Sequence, residues 1–358
     1  MVDQSGFHNL VSGQAQGPGP TLLRGALRPL AWVYGRGMAV RTGLYRAGLF
    51  RSYRSDLPVI CVGNLTTGGT GKTPLAIWLC RHLIQSGLRP AILTRGYKTG
   101  PSRSDEPGLF ERHCPGVKVI VNPDRSEGAR SAAAAGQVDV LVMDDGFQHL
   151  ALARDLDIVA LDATCPFGHE RLLPAGLLRE PIRALARAGA VVLTRTDQVS
   201  QAELEAVEKR IIEANPSLVL ARTVHAPAAA RFQSGPDLPI DCLRDRRVLA
   251  FCGIGNPQAF FKTLEQLGVE VAGSRVFNDH HHCSRADIEA LYRQALDLKV
   301  DGLLTTEKNF FDVAAASQAG PLPLGYLAVD LAFETGEAAL KELIAGVLAC
   351  RISGVNRT

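Results

Sequence analysis

The chain has 358 residues, 46% of them hydrophobic and 21% charged, with a net charge of +3. That length suggests two domains of ordinary size, and the charge is too mild to imply a nucleic-acid partner. Eight scattered cysteines without a C-x-x-C pair fit a reducing compartment better than a disulfide framework. No apolar stretch of about 18 residues marks an ordinary membrane span.

Residues 1–20, rich in Gly, Gln, Ser and Pro, read as disordered. They lack the basic start and continuous apolar core of a signal peptide. Residues 21–55 differ sharply: they hold seven arginines (Arg24, Arg28, Arg36, Arg41, Arg46, Arg51 and Arg54) and no acid. Interleaved with them are Leu22, Leu23, Leu30, Trp32, Val33, Tyr34 and Tyr45. A basic amphipathic segment with Trp and Tyr suits an anionic membrane surface. The alternative is a helix packed on the protein, its arginines merely solvated. Pro29 and the glycines at 25, 35 and 37 argue against one long regular helix.

From residue 56 to 224, short apolar runs alternate with helical patterns. "LPVICVG", "RPAILTR", "VKVIV", "VDVLVMDD", "LDIVALD" and "AVVLTRTD" read as strands. "KTPLAIWLCRHLIQSG", "DRSEGARSAAAAG" and "QAELEAVEKRIIEA" read as helices. Continuous apolar strands separated by helices predict an α/β fold, a parallel sheet covered on both faces. Residues 225–245, broken by prolines, read as a linker, and residues 246–358 as a second, smaller α/β domain.

One stretch carries chemistry. "LTTGGTGKTP" follows the first apolar strand and ends like a phosphate-binding loop opening a helix. Thr66, Thr67, Gly68, Gly69, Thr70 and Gly71 would cradle phosphate with backbone N–H groups. Lys72 would reach the terminal phosphates and the Thr73 hydroxyl would serve Mg²⁺. Thr66 stands where the usual pattern has glycine, so the turn must be made differently. The strand ending in Asp144-Asp145 places carboxylates where a Mg²⁺ shell is expected. Together these predict a P-loop-type site for a nucleoside triphosphate. Partitioning ATPases share G-G-x-G-K-T but carry lysine where this chain has Thr67, which leaves room for a kinase.

The segments "VGNLTTGGTGKTP", "TRGY", "SDEP", "MDDGFQH", "PFGHERLLPAGLLREP", "LTRTD", "GIGNPQAFF", "FNDHHH" and "LTTEK" occur in a telling order. In order and approximate spacing this set resembles the tetraacyldisaccharide 4′-kinases, from about Leu23 to the last helix. The resemblance implies phosphorylation of the 4′-hydroxyl of a lipid A precursor, an acylated disaccharide 1-phosphate, with ATP and Mg²⁺. It implies peripheral attachment at the cytoplasmic face of the inner membrane, with no obligate protein partner. The basic segment at 21–55 belongs to it. The competing reading is a membrane-recruited regulatory P-loop NTPase acting on a protein partner. Departures from the family's usual residues are Lys98 and Ser104, where glycine is usual, His169, where Asn is common, and Asn309, where Asp is usual.

Roles follow from the resemblance. Asp105 is implied as the base that takes the sugar hydroxyl's proton, oriented by His280, with Asp145, Lys72 and Arg179 acting on the phosphates. Asp144, Glu106 and Glu180 are implied around Mg²⁺, with Thr73. For Arg179 and Glu180 the alternative is a buried ion pair. Arg95 and Arg125 follow strand ends and either contact phosphate or serve the structure. Thr194 to Asp197 either read the base or form a turn. Gln148 and His149 shape the loop after Asp145. His280, His281, His282 and Cys283 lack the spacing of a zinc site.

Overall fold

The computed structural model describes residues 4–96, 106–233, 237–254, 256–278, 281, 283–316 and 320–352. The chain divides into two compact units. The larger is built from Gly6–Val224 and Leu331–Thr358, the smaller centres on His225–Asp330.

The N-terminal part supplies α1 (Gln4–Ser12), α2 (Pro18–Arg46), β1 (Val59–Gly63), α3 (Lys72–Gln85), β2 (Pro90–Thr94), α4 (Glu106–His113) and β3 (Lys118–Val121). It continues with α5 (Arg125–Ala134), β4 (Val140–Asp144), β5 (Leu156–Asp162), β6 (Ala190–Thr194), α6 (Gln201–Ala214) and β7 (Val219–Phe232). These strands lie in the order β3-β2-β4-β1-β5-β6-β7 and pair parallel. Strands β1, β2, β4, β5 and β6 are buried at every position, as a sheet covered on both faces requires. Alternation along β1 sends Val59 and Cys61 to a core shared with Ala129 of α5 and Leu204 of α6. Ile60 and Val62 enter the opposite core with Leu75, Leu79 and Leu83 of α3. The chain leaves β1 for β2, skips a strand position, and later fills it with β4. The loop after β1 therefore opens at a topological switch point, where ligands of such sheets bind.

In the smaller unit the elements are β8 (Arg247–Cys252), α7 (Pro257–Gln266), β9 (Glu270–Val276), α8 (Arg285–Asp297), β10 (Gly302–Thr306), α9 (Glu307–Ala316) and β11 (Leu324–Thr335). Strands β11-β10-β8-β9 pair parallel in that order. Leu249, Phe251, Leu291, Leu303 and Leu324 form its core. The last helix, α10 (Glu337–Ile352), belongs to the larger unit: Leu340, Ile344 and Leu348 join the core of α3. A single domain over 246–358 is therefore corrected.

Other departures have local causes. Residues 18–46 form one helix despite Pro29, which lies on the exposed side with Gly25 and Gly37. Less exposed Arg24, Leu27, Ala31, Tyr34, Met38, Arg41 and Tyr45 repeat every three or four residues, so packing of that face overrides propensity. Residues 4–12, expected without structure, are helical. The expected linker at 225–232 continues β7. Its pairing with β6 ends at Arg222, so Pro227 costs no bond on that side.

Candidate active site

Three constraints shape the loop after β1. Gly63 is obligatory, because a Cβ there would lie 2.5 Å from Phe147 Cβ and 2.8 Å from its backbone N. Asn64 is fully buried and uses its amide to hold the Thr66 carbonyl at 2.6 Å and the Thr70 hydroxyl at 3.1 Å. Thr66 bridges Leu178, Thr67 N–H donates to the Leu177 carbonyl at 2.8 Å, and Arg179 N–H donates to the Leu65 carbonyl at 2.7 Å. The turn that glycine usually makes is replaced here by strand-like pairing with residues 177–179.

From the other side, Thr194 Oγ1 donates to the Thr70 carbonyl at 3.1 Å and Arg195 Nη1 to the Gly69 carbonyl at 2.9 Å. Arg195 is itself paired with buried Asp162. Thr194 and Arg195 thus fasten the loop from below by its carbonyls. Gly71 then turns the chain with φ of 81° into α3, which starts without a side-chain cap. An uncapped helix N-terminus presents N–H groups and a partial positive charge to an anion.

Strand register carries β4 alongside, pairing Val62 with Asp144. Asp144 is buried, and Asp145 follows in a left-handed conformation with φ of 49°. Lys72 Nζ stands 3.6 Å from Asp145 Oδ1, and Arg179 Nη1 stands 2.9 and 3.0 Å from its two oxygens. Burial alone would raise the Asp145 carboxyl pKa, but Lys72 and Arg179 outweigh it and hold the group below the ordinary value. Asp145 stays ionised and keeps both cations at the mouth of the loop.

The remaining expected residues scatter. Arg125 is buried in the first turn of α5, and its charge lowers the pKa of both Asp145 and His149. Arg95 is exposed just beyond β2. Glu106 is the first residue of α4. Asp105 and His280 lie outside the described residues. Glu180 does not face the loop with a free carboxylate: Arg187 takes its oxygens at 2.7 and 2.8 Å and also donates to the Phe147 carbonyl. The buried-pair alternative describes Glu180; Arg179 pairs with Asp145 instead. Among the described residues no cluster of three metal-ligating side chains occurs; His280 and His282 lie outside them.

Sequence reasoning missed Asn64, Arg187 and the bracing role of Arg195, and it left Gln148 vague. Gln148 Nε2 donates to the Asn64 carbonyl at 2.9 Å, tying the two loops together. A polar residue directly after an all-apolar strand was the one available signal for Asn64.

A family profile described as "LpxK: Tetraacyldisaccharide-1-P 4'-kinase" matches residues 23–349. The chain belongs to the tetraacyldisaccharide 4′-kinase family. It is 39% identical over 357 residues to the tetraacyldisaccharide 4′-kinase of Anaeromyxobacter sp. (strain Fw109-5), covering 94% of this chain and 95% of that one. The enzyme of that name from Anaeromyxobacter sp. (strain K) is 41% identical over 304 residues, 78% of this chain and 79% of its own. Among solved structures, LpxK from Aquifex aeolicus in complex with ATP superposes with a TM-score of 0.68 at 29% identity. That alignment covers 91% of this chain and 99% of the other.

Two departures from the usual tetraacyldisaccharide 4′-kinase residues now have a physical account. His169 sits at φ of 61°, a left-handed position that the family's common Asn adopts readily. Buried Asn309 accepts from the Gly253 N–H at 2.7 Å and the Thr306 hydroxyl at 2.8 Å through Oδ1. Either carboxylate or amide oxygen can fill that acceptor role.

Proposed function

We propose that loop 64–73 holds the ATP phosphates, that Lys72 and Arg179 meet the transferring group, and that Asp105 removes the proton from the attacking hydroxyl. Family membership makes the chain a phosphotransferase, an ATP-dependent kinase of the 4′-hydroxyl of tetraacyldisaccharide 1-phosphate in lipid A biosynthesis. The 4′-oxygen attacks the γ-phosphorus, the bond from that phosphorus to the β–γ bridging oxygen breaks, and ADP leaves. The observation that carries the assignment of roles is the Lys72–Asp145–Arg179 cluster set against the uncapped start of α3. Its cations are held in place before any charge develops, which is how such sites lower the barrier.

The donor set beside the loop fits Mg²⁺. Thr73 in the first turn of α3 and Asp144 at the end of β4 offer hard oxygen ligands of the kind that ion prefers. Bound with the nucleotide, the ion would neutralise phosphate charge. Asp145, already committed to two cations, positions them and leaves Asp144 as the carboxylate for the metal.

Attachment to an anionic membrane surface on the cytoplasmic side is the second part of the proposal. No helix among the described residues is long and apolar enough to cross a membrane. Helix α2 exposes Leu22, Leu30, Trp32, Val33 and Val40, between 56% and 75% accessible, beside exposed Arg28 and Arg36. Such a face suits the headgroup boundary. The deciding experiment incubates the protein with γ-labelled ATP and the disaccharide 1-phosphate. Label must move to the lipid; hydrolysis alone, stimulated by a protein partner, would favour the regulatory NTPase instead.

A further inference from the structure

Helix α2 touches both loops that build the phosphate site. The Tyr34 hydroxyl donates to the Arg179 carbonyl at 2.8 Å, and Arg41 Nη1 donates to the Gln148 carbonyl at 3.0 Å. A short chain of bonds stands behind each contact. Beyond the first, Arg179 grips Asp145, which faces Lys72. Beyond the second, Gln148 holds the Asn64 carbonyl, and Asn64 holds Thr66 and Thr70.

The seating is close. A Cβ on Gly35 would lie 2.7 Å from Leu172 Cδ1, so the helix backbone comes down on Leu172, which bridges Leu178 of the segment that pairs with the loop. Tyr34 and Arg41 are seven residues, two turns, apart and so share one face of α2. Trp32, Val33 and Val40 of the same helix are exposed. Burial, with Glu180 nearby, raises the Tyr34 pKa, so the phenol remains a donor through the neutral range.

We infer that Tyr34 and Arg41 are positioning residues: from α2 they fix the Arg179 and Gln148 main chains, and through them Asp145, Lys72 and loop 64–73. The inference rests on the kinase reading above and extends it. A helix with exposed apolar side chains is thereby wired to the reacting groups, so seating α2 and setting the site are one event. Neither residue need touch substrate. Their loss should appear in the rate of the chemical step, where small misplacements are costly, rather than in the affinity for lipid.

The test compares Tyr34→Phe, Arg41→Met and Arg41→Lys with wild type. kcat and KM are measured for ATP and the disaccharide 1-phosphate in mixed detergent micelles. Amide hydrogen exchange is followed over 64–73 and 144–150 without substrate. We expect kcat to fall roughly three- to tenfold in the Phe and Met variants, in proportion to one lost hydrogen bond. Lipid KM and vesicle flotation should stay within about twofold, exchange over both loops should quicken, and Arg41→Lys should recover part of the loss. A wild-type kcat with raised lipid KM or lost flotation would make α2 an anchor alone and overturn the inference. Unchanged exchange over both loops would overturn it as well. Quickened exchange in a protein whose wild type labels no lipid would uphold the positioning and sink the kinase reading.

Discussion

Arg179 and Lys72 converge on one carboxylate, Asp145, the first bound through both of its oxygens and the second 3.6 Å away. Each cation is held by a partner that is already in the protein, so neither must be gathered from solvent when phosphate arrives. Removing Lys72 leaves Arg179 as the sole partner of Asp145 in that cluster and takes one of the two positive charges from the mouth of the loop. Lys72→Ala should abolish label transfer, with kcat/KM down by on the order of 10³-fold or more. Near-normal transfer would show that the glycine-rich loop is not the phosphate cradle.

Asp105→Asn keeps size and most hydrogen bonding but cannot accept a proton. Its kcat should fall by roughly 10²-fold while ATP affinity, read by calorimetry, changes little. A matching loss of ATP affinity would place Asp105 with the nucleotide rather than with the sugar hydroxyl.

Glu180 divides two readings cleanly. Both of its oxygens are bound by Arg187, whose guanidinium also stacks 3.6 Å over the Phe147 ring. Glu180→Gln should therefore lower unfolding stability by about 3 kcal/mol, as removing one partner of a buried pair does. The Mg²⁺ concentration for half-maximal rate should not move. Recovery of activity at high Mg²⁺ with unchanged urea stability would return Glu180 to the metal shell.

His149 supplies a pH signature. Burial, then Arg125, Arg154 and Arg41, lower its pKa from 6.5 to about 4. Between those values the unfolded chain takes up a proton that the folded chain refuses, so stability falls as pH drops from 6.5 towards 4. His149→Gln should flatten that slope in urea unfolding at pH 7 and pH 5. An equal slope in both proteins would assign the acid sensitivity elsewhere.

Vesicle flotation tests the surface of α2. Arg24 is spent on the Leu10 and Ala15 carbonyls and on the Thr21 hydroxyl, so the informative substitutions are at Arg28 and Arg36. Changing both to Ser should weaken binding to anionic vesicles at low salt, and the difference should shrink as salt rises. Equal flotation at low salt would mean that these arginines do not drive attachment.

Much of this was legible in the sequence for a definite reason. Strands buried on both faces are continuous apolar runs, and "LDIVALD" and "QAELEAVEKRIIEA" coincide with β5 and α6 at both ends. Gly-Lys-Thr after a strand and Asp-Asp at the end of another marked the site because each motif owes its chemistry to local backbone. What stayed hidden depends on contacts far apart in the chain. Thr194 and Arg195 find loop carbonyls more than a hundred residues away, and Tyr34 finds residue 179. Helix α2 was hidden by its own composition, since Pro29 and three glycines weigh against a helix that tertiary packing nevertheless holds.

Leu340, Ile344 and Leu348 pack in the same core as Leu75 and Leu79, the residues that seat the helix beginning at Lys72. During synthesis the smaller unit, continuous from His225 to Asp330, has all its strands before α10 exists. The larger unit waits for the last helix to leave the ribosome before that face of its sheet is closed. A chain cut short after β11 would thus carry all the strands of the inserted unit on an unfinished kinase core, its α3 face open to chaperone or to another chain.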